Sequence, residues 1–210
     1  MELFEGKKGI IFGIRDEGSI TWSIVQELHA QGAQMGITYL RHRYPDRPGK
    51  AEGRAQWLGK QIEAKFVLPC DGTQDDEIDE VFSTARDVFG SLDFVVCSLA
   101  YGRPSDLRDA VSNVSREGFQ LAMNHSVYGL IAIARRAKPL MKSGGSILVT
   151  TFIGSERVFP GANLMGICKA ALVGTVRALA EELGPDGVRV NALSVGMPRT
   201  PVLCDGPPSC

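Results

Sequence analysis

A loop led by glycine joins an apolar segment to a helical pattern near the start of the chain. The apolar segment covers residues 9–12, and the loop runs from Gly13 to Trp22 with Ser19 inside it. At the end of a parallel strand, a glycine lets the backbone approach a pyrophosphate above the N-terminus of the following helix. The loop lacks the GxGxxG spacing, so a structural turn with Ser19 as helix N-cap is nearly as good an interpretation.

Polar residues also follow three other apolar segments. Asp71 and Gly72 follow the third segment, residues 98–100 close the fourth, and residues 194–200 close the sixth. In an open parallel sheet, ligands bind beyond the carboxyl ends of the strands, where the strand order reverses. We therefore expect these loops to form one cleft.

Short apolar runs alternate along the chain with amphipathic stretches, and the elements that they predict must position these loops. Strands are predicted at residues 9–12, 34–39, 65–69, 92–98, 146–151 and 188–194. Helices are predicted at residues 20–32, 52–63, 75–89, 115–142 and 161–183, with Trp57 facing inward and one apolar stripe formed by Ile78, Val81, Phe82, Ala85 and Val88. Near-continuous apolar strands separated by helices predict an α/β fold, a doubly wound parallel sheet of Rossmann type with about six strands and helices on both faces.

Two segments interrupt this alternation. Residues 39–54 are rich in arginine, proline and glycine, which favours a solvated surface loop over the alternative of an edge that faces phosphate. Residues 201–210 carry prolines and glycine that exclude a helix or an inner strand. We expect one domain over residues 1–200, followed by an irregular tail.

Composition excludes several classes of function. The 210 residues carry 23 basic and 24 acidic side chains, a net charge of −1, so no overall field favours nucleic acid or an anionic membrane. The five cysteines show no CxxC pair and no metal-ligand spacing, which predicts no metal site and reduced thiols in a cytoplasm. The first residues lack the apolar core of a signal peptide, and we expect no membrane-spanning segment.

Motifs along most of the chain resemble one family in particular. They include residues 13–22, Cys70-Asp71, 115–119, Glu156-Arg157, Met165-Gly166, Lys169-Ala170 and 184–192. In order and spacing these segments are similar to those of the enoyl-acyl-carrier-protein reductases, a divergent branch of the short-chain dehydrogenases. The resemblance covers residues 5 to about 200.

The resemblance implies a nicotinamide cofactor, NAD or NADP in reduced form. It puts the pyrophosphate near Gly13, Ile14, Ser19 and Ile20, adenine beside Asp71 and Gly72, and the ribose and phosphates over Ser98, Leu99 and Ala100. Lys169 would hold the nicotinamide ribose hydroxyls, and Gly196 and Thr200 would border the pyrophosphate or the nicotinamide amide. An acid is absent after the second strand, where Arg41 can pair with a 2′-phosphate and slightly favours NADPH.

The same resemblance shows what the catalytic stretch lacks. The proton-relay tyrosine of the family corresponds to Ala162, seven positions before Lys169, and Met165 holds the place used by ordinary short-chain dehydrogenases. The second active-site tyrosine corresponds to Phe152. Tyr101, which directly follows the fourth strand, is a candidate substitute donor.

Other polar residues in the same segments are weaker candidates. Asn124 matches a water-holding asparagine of ordinary short-chain dehydrogenases, and Thr151 could border the pocket. For His125 and Tyr128, packing or a subunit contact is the favoured interpretation. Cys168 is interpreted as a core residue and not as a nucleophile, because no base can be named for it.

Three functions follow from these observations. The first is reduction of an enoyl thioester carried by acyl carrier protein, in fatty-acid or polyketide assembly. The second is nucleotide binding without redox activity, and the third is a different step on a related thioester. Family members continue beyond the Thr200 position with a substrate-covering lid and a seventh strand, so we expect an open acyl pocket, an uncovered edge on the sixth strand and a homo-oligomer.

Overall fold

Six parallel strands form a single sheet in the computed structural model, which describes residues 3–41 and 49–196. The strands are β1 (Lys8–Phe12), β2 (Gln34–Tyr39), β3 (Phe66–Pro69), β4 (Phe94–Cys97), β5 (Gly145–Phe152) and β6 (Val188–Val195). Their order is β3-β2-β1-β4-β5-β6, so the chain reverses its direction of travel between β1 and β4. The predicted doubly wound sheet is confirmed, and its ligand-binding crevice is expected at that reversal.

Within the described residues, seven α-helices connect these strands. They are α1 (Ile20–Ala30), α2 (Lys50–Gln61), α3 (Asp75–Phe89), α4 (Pro104–Arg108), α5 (Arg116–Met123), α6 (Gly129–Ala137) and α7 (Asn163–Leu183). The sequence prediction missed α4, because five residues are too few to show an apolar period.

The single helix predicted for residues 115–142 is wrong. Between α5 and α6 the chain makes a π-helical turn, Asn124–Tyr128, and after α6 it tightens into the 3₁₀ turn Lys138–Leu140. Hydrophobic spacing does not reveal a change of helical pitch that lasts one turn. Asn124, His125 and Tyr128 therefore stand on a helical bulge and not in a continuous helix.

Each face of the sheet carries its own apolar core. Ile10, Phe12 and Val95 contribute to the core under α3, α6 and α7, whereas Ile11 and Val96 contribute to the core under α1 and α2. Successive residues of one strand point to opposite faces, so strands covered on both sides read as continuous apolar runs. That is the pattern from which the sequence predicted them.

Two side chains predicted to face inward are exposed. Trp57 is 48% exposed, because the buried side of α2 is formed by Ala51, Ala55, Leu58 and Gly59. At Gly59 the helix lies so close to the sheet that an added Cβ would stand 2.5 Å from Val67 Cγ2. Val88 is 47% exposed, and the neighbouring Phe89 takes the inward place on α3. The last buried residue of α3 lies four positions after Ala85, at Phe89, whereas the prediction places it three positions after, at Val88.

The apolar residues of the long helix α7 form part of the core of the domain. The stretch Asn163–Asp186 is long and apolar enough, by length and composition, to cross a membrane, with a mean hydropathy of 1.2 over 18 residues. In the fold this helix packs Leu172, Val176 and Leu179 into the core beside β5 and β6. Its apolar side chains are therefore used by the core of the domain.

The sheet ends at β6. Within residues 3–41 and 49–196 no strand pairs with its outer edge, and Leu193 is 40% exposed there. The predicted tail, residues 201–210, the boundary at residue 200 and most of the predicted basic loop lie outside the described residues. Of the five cysteines, Cys70, Cys97 and Cys168 are buried with free thiols, as predicted.

Candidate functional site

Gly13 closes β1 in a conformation and a space that only glycine fits. Its φ is +87°, and a Cβ added there would lie 2.6 Å from the carbonyl oxygen of Ser98, at the end of β4. The Gly13 N–H donates to Thr38 Oγ1 over 3.4 Å, and the N–H of buried Ile14 donates to the Thr38 carbonyl over 2.8 Å. The ends of β1, β2 and β4 thus meet closely, and backbone without side chain lines the crevice at Gly13.

The loop after Gly13 is organised by Asp16, which the sequence analysis did not single out. Asp16 Oδ2 accepts from Arg15 Nε over 2.6 Å, Oδ1 accepts from the Gly18 N–H over 3.1 Å, and the Asp16 carbonyl accepts from Ser19 Oγ over 2.7 Å. Only its burial reveals this role, and no spacing rule predicts it.

Ser19 is the N-cap of α1. Its Oγ accepts from the N–H of Trp22 over 3.2 Å, and Ile20 begins the helix. The structural interpretation of Ser19 is therefore confirmed. The capped N-terminus of this 11-residue helix follows the carboxyl end of β1, which is where a helix dipole favours an anion.

Asp71 and Gly72 stand at the end of β3. Asp71 Oδ1 accepts from the N–H and the Oγ1 of Thr73 over 2.9 and 2.8 Å. A Cβ added at Gly72 would lie 2.9 Å from Leu99 Cδ1, so the third and fourth strand ends are in contact. This arrangement brings Asp71 and Leu99, both predicted from strand ends, to the same edge.

Lys169 reaches the same edge from α7. It is 5% exposed, and its Nζ donates to the Thr150 carbonyl over 2.7 Å and to the Leu99 carbonyl over 3.4 Å. Among the described residues no carboxylate forms a salt bridge with it. Burial lowers the pKa of this ammonium to about 8. A buried cation held only by carbonyl oxygens is costly, which is typical of a functional lysine.

Ser98 and Ala100 flank the acceptor of that lysine. Ser98 Oγ lies 3.2 Å from Thr150 Oγ1, so the ends of β4 and β5 are joined next to Lys169. Both Ser98 and Ala100 are half-buried. Burial raises the pKa of the adjacent Cys168 thiol to about 11, which fits a core residue and not a nucleophile.

The two positions assigned to tyrosines carry no hydroxyl. Ala162 is half-buried directly before α7, and Phe152 ends β5 with its ring edge-on to Phe159, 6.5 Å between centroids. Directly after Ala162, Asn163 has a φ of +35° and donates from Nδ2 to the Asp109 carbonyl over 2.6 Å. Thr151 is buried, and its Oγ1 has no hydrogen-bond partner among the residues described.

The remaining candidates divide between the cleft and the surface. Tyr101 is half-buried, with its ring 5.6 Å from that of buried His125. Asn124 and Tyr128 are exposed on the π-helical turn, so neither is a buried donor. Arg41 and Gly196 are exposed at the limits of the described ranges, and Thr200 lies outside them.

Comparison with known proteins agrees with this geometry. Residues 13–208 match the family model described as enoyl-(acyl carrier protein) reductase. The chain belongs to that family. Its Rossmann-type sheet and the nicotinamide-dependent class of oxidoreductase predicted from the resemblance are those of enoyl-acyl-carrier-protein reductases.

Two curated enoyl-acyl-carrier-protein reductases illustrate the relationship. The NADH enzyme of Nostoc is 42% identical over 195 residues, which cover 93% of this chain and 74% of the relative. The NADH enzyme of Bacillus cereus is 39% identical over 202 residues, 95% of this chain and 76% of the relative. Both relatives are therefore longer than this chain.

Solved enoyl-acyl-carrier-protein reductases share the fold. A crystal structure from Bacillus cereus with NADP⁺ and indole naphthyridinone has a TM-score of 0.90 at 38% identity and covers 100% of this chain and 79% of its own. One from Anaplasma phagocytophilum with NAD has a TM-score of 0.87 at 38% identity and covers 94% of this chain and 73% of its own. Members of the family thus hold either dinucleotide, which leaves the preference predicted from Arg41 open.

Proposed function

We propose that this chain binds NADH or NADPH across the carboxyl edge of its sheet and reduces an enoyl thioester of acyl carrier protein. The observation that carries the proposal is the buried ammonium of Lys169, which two strand-end carbonyls hold at this edge. A lysine ammonium has three N–H donors, and these carbonyls take two of them. The third is available for a ribose hydroxyl.

Two glycines let the strand ends that form this edge approach each other closely. A Cβ at Gly13 would lie 2.6 Å from the Ser98 carbonyl oxygen, and a Cβ at Gly72 would lie 2.9 Å from Leu99 Cδ1. In the proposal, Gly13, Ile14, Ser19 and Ile20 contact the pyrophosphate above the N-terminus of α1.

The remaining contacts follow the order of the strand ends. Asp71 and Gly72 contact adenine, and residues 98–100 contact the ribose and phosphates. Gly196 and Thr200 border the pyrophosphate or the nicotinamide amide, and Thr200 lies outside the described residues. Residues 1–200 act in this proposal as one dinucleotide-binding domain.

A nicotinamide cofactor bound here would supply a hydride to the β carbon of the enoyl group, and a proton from water would complete the reduction at the α carbon. Negative charge then develops on the thioester oxygen and must be stabilised by donors in the site. Neither Phe152 nor Ala162 can donate, and loss of one such donor commonly reduces the rate about 10²–10³-fold. The buried ammonium of Lys169 places a positive charge at this edge, and its low-dielectric surroundings would strengthen its attraction for this oxygen. We therefore propose a slow enoyl reductase.

Cofactor titration tests this proposal directly. Adding the protein to NADH or to NADPH should change the wavelength or the intensity of the nicotinamide fluorescence. The change should saturate as the protein concentration increases. A comparison of the two dissociation constants also tests the slight preference for NADPH predicted from Arg41. Unchanged fluorescence with both dinucleotides would contradict cofactor binding, whatever the activity.

Cofactor affinity should also depend on pH through Lys169. Its pKa is lowered to about 8, and the ammonium is the form that donates to the ribose. The dissociation constant of NADH should be flat below pH 8 and rise above it, by up to tenfold per pH unit, because binding then requires uptake of a proton. Titrations between pH 6.5 and pH 9.5 measure this slope. A constant affinity over that range would mean that Lys169 does not hold the cofactor as a cation.

A second candidate function is nucleotide binding without redox activity. The missing hydroxyls at residues 152 and 162 favour it over the third hypothesis, a different step on a related thioester. Following NADH oxidation with a crotonyl thioester, at protein concentrations near that of the cofactor, separates the two. Binding without any turnover supports the second function.

We also propose that the protein forms a homo-oligomer in the cytoplasm. The outer edge of β6 carries exposed Leu193, and open strand edges favour pairing with another chain. Phe119, Tyr128 and Ile167 are each 41% exposed on α5, the π-helical turn and α7. The three buried free thiols are consistent with a reducing compartment.

A further inference from the structure

The π-helical turn between α5 and α6 directs a histidine to the edge where β3 ends. His125 is 3% exposed, and its Nε2 lies 3.8 Å from Asp71 Oδ1. A π turn inserts one additional residue into a helix, and such insertions frequently occur at functional sites. The bulge is therefore the local feature that brings the imidazole to this carboxylate.

The carboxylate of Asp71 is held from one side. Thr73 gives it two hydrogen bonds, both to Oδ1, which is also the oxygen that faces His125. The Asp71 side chain is nevertheless 26% exposed. Its inner oxygen is therefore fixed by the protein while part of the carboxylate stays open to a ligand.

His125 is itself fixed by the loop after β4. Its ring packs against that of Tyr101 at a centroid distance of 5.6 Å and an angle of 48°. Its carbonyl oxygen would lie 3.5 Å from a Cβ added at Gly72, so the backbones of the two segments are also in contact. The imidazole thus lies between the loops that end β3 and β4 and cannot turn without disturbing one of them.

We propose that His125 is a positioning residue for recognition of the purine, which it performs by orienting the Asp71 carboxylate toward the base. A carboxylate is only an acceptor, so it favours a base with an exocyclic amino group, adenine, over hypoxanthine, which carries an oxo group there. This inference rests on the proposed function, in which Asp71 contacts the base. His125 acts through Asp71 and need not touch the cofactor.

The test compares NADH with reduced nicotinamide hypoxanthine dinucleotide, which differs at that amino group. Dissociation constants for both are measured by nicotinamide fluorescence in the native protein, His125→Phe, His125→Gln and the control Ser126→Ala. The native protein should prefer NADH about tenfold, the size expected of one hydrogen bond to a charged group. His125→Phe, which keeps a ring and loses both nitrogens, should reduce the preference to less than about threefold.

His125→Gln keeps an N–H donor and should restore most of the preference. Ser126→Ala alters the neighbouring buried side chain of the same turn, whose Oγ has no partner among the described residues, and should leave the preference unchanged. A merely structural role would weaken both dinucleotides equally, so the ratio is the decisive quantity. If His125→Phe fails to fold by circular dichroism, His125→Leu provides the same comparison.

The inference is overturned if the native protein binds both dinucleotides equally, or if the ratio survives in the variants without a nitrogen. These outcomes leave the proposed function intact, because NADH still binds. If neither dinucleotide binds to the native protein, the proposed function fails first and the inference with it.

Discussion

Replacing Ala162 and Phe152 together by tyrosine is expected to raise the rate of enoyl thioester reduction at least tens-fold. One restored donor to the developing oxyanion is commonly worth about 10²–10³ in rate, and the two substitutions supply both hydroxyls that the family resemblance assigns to the site. Ala162 has φ −77° and ψ −28°, which a tyrosine adopts without strain, and it is half-buried directly before α7. The measurement is kcat/KM for a crotonyl thioester with saturating NADH.

The matched control for this gain is Ala162→Phe, which introduces the ring without the hydroxyl. It should leave the rate near that of the native chain, so any gain of the tyrosine variant over it reports the phenol. If the double variant binds NADH normally and shows no gain, the deficit lies in the acyl pocket and not in the relay. High activity of the native chain would instead mean that another donor exists, and Tyr101→Phe and His125→Gln would then locate it.

The sheet could be predicted because its signals are long and repeated. The inner strands β1, β2 and β4 are buried on both faces, so their apolar runs are visible without knowledge of their neighbours. The helices α2, α3 and α7 differ from their predicted ends by two residues or fewer. The prediction of which side chains face inward failed where packing against a neighbouring element overrides the hydrophobic pattern of a helix. Trp57 faces solvent because Ala55, Leu58 and Gly59 form the buried side of α2, which no property of residue 57 reveals.

The sequence predicts those residues of the candidate site that lie at the carboxyl ends of the parallel strands. Gly13, Asp71, Leu99 and Lys169 meet at one edge because parallel strands end together, and a sequence shows where strands end. Asp16 and the position of His125 could not be anticipated. The first depends on burial of a loop carboxylate, and the second depends on a π turn that adds one residue to a helix.

Lys169→Met should change cofactor binding and stability in opposite directions. The variant loses the ammonium proposed to hold the ribose, so the dissociation constant of NADH should rise by tenfold or more, as expected when a hydrogen bond from a charged group is removed. At pH 7 the same variant should be more stable than the native chain by roughly 1–2 kcal/mol, because methionine needs no hydration. The gain stays below the roughly 3 kcal/mol implied by lowering the pKa from 10.5 to about 8, since two carbonyl oxygens lose a donor.

The pH dependence of that stability distinguishes burial of a charge from other causes. Below pH 8 the lysine is protonated in both folded and unfolded chains, so the native protein bears the full cost of the buried charge. Between pH 8 and about 10.5 the unfolded chain binds more protons than the folded one, and the free energy of unfolding of the native chain should increase with pH. The advantage of Lys169→Met in urea unfolding should therefore shrink from pH 7 to pH 9.5, while Lys60→Met, at an exposed site on α2, should show no such change. If Lys169→Met binds NADH as tightly as the native chain, Lys169 does not contribute to cofactor binding. If the variant is less stable than the native chain at every pH, the buried ammonium does not destabilise the fold.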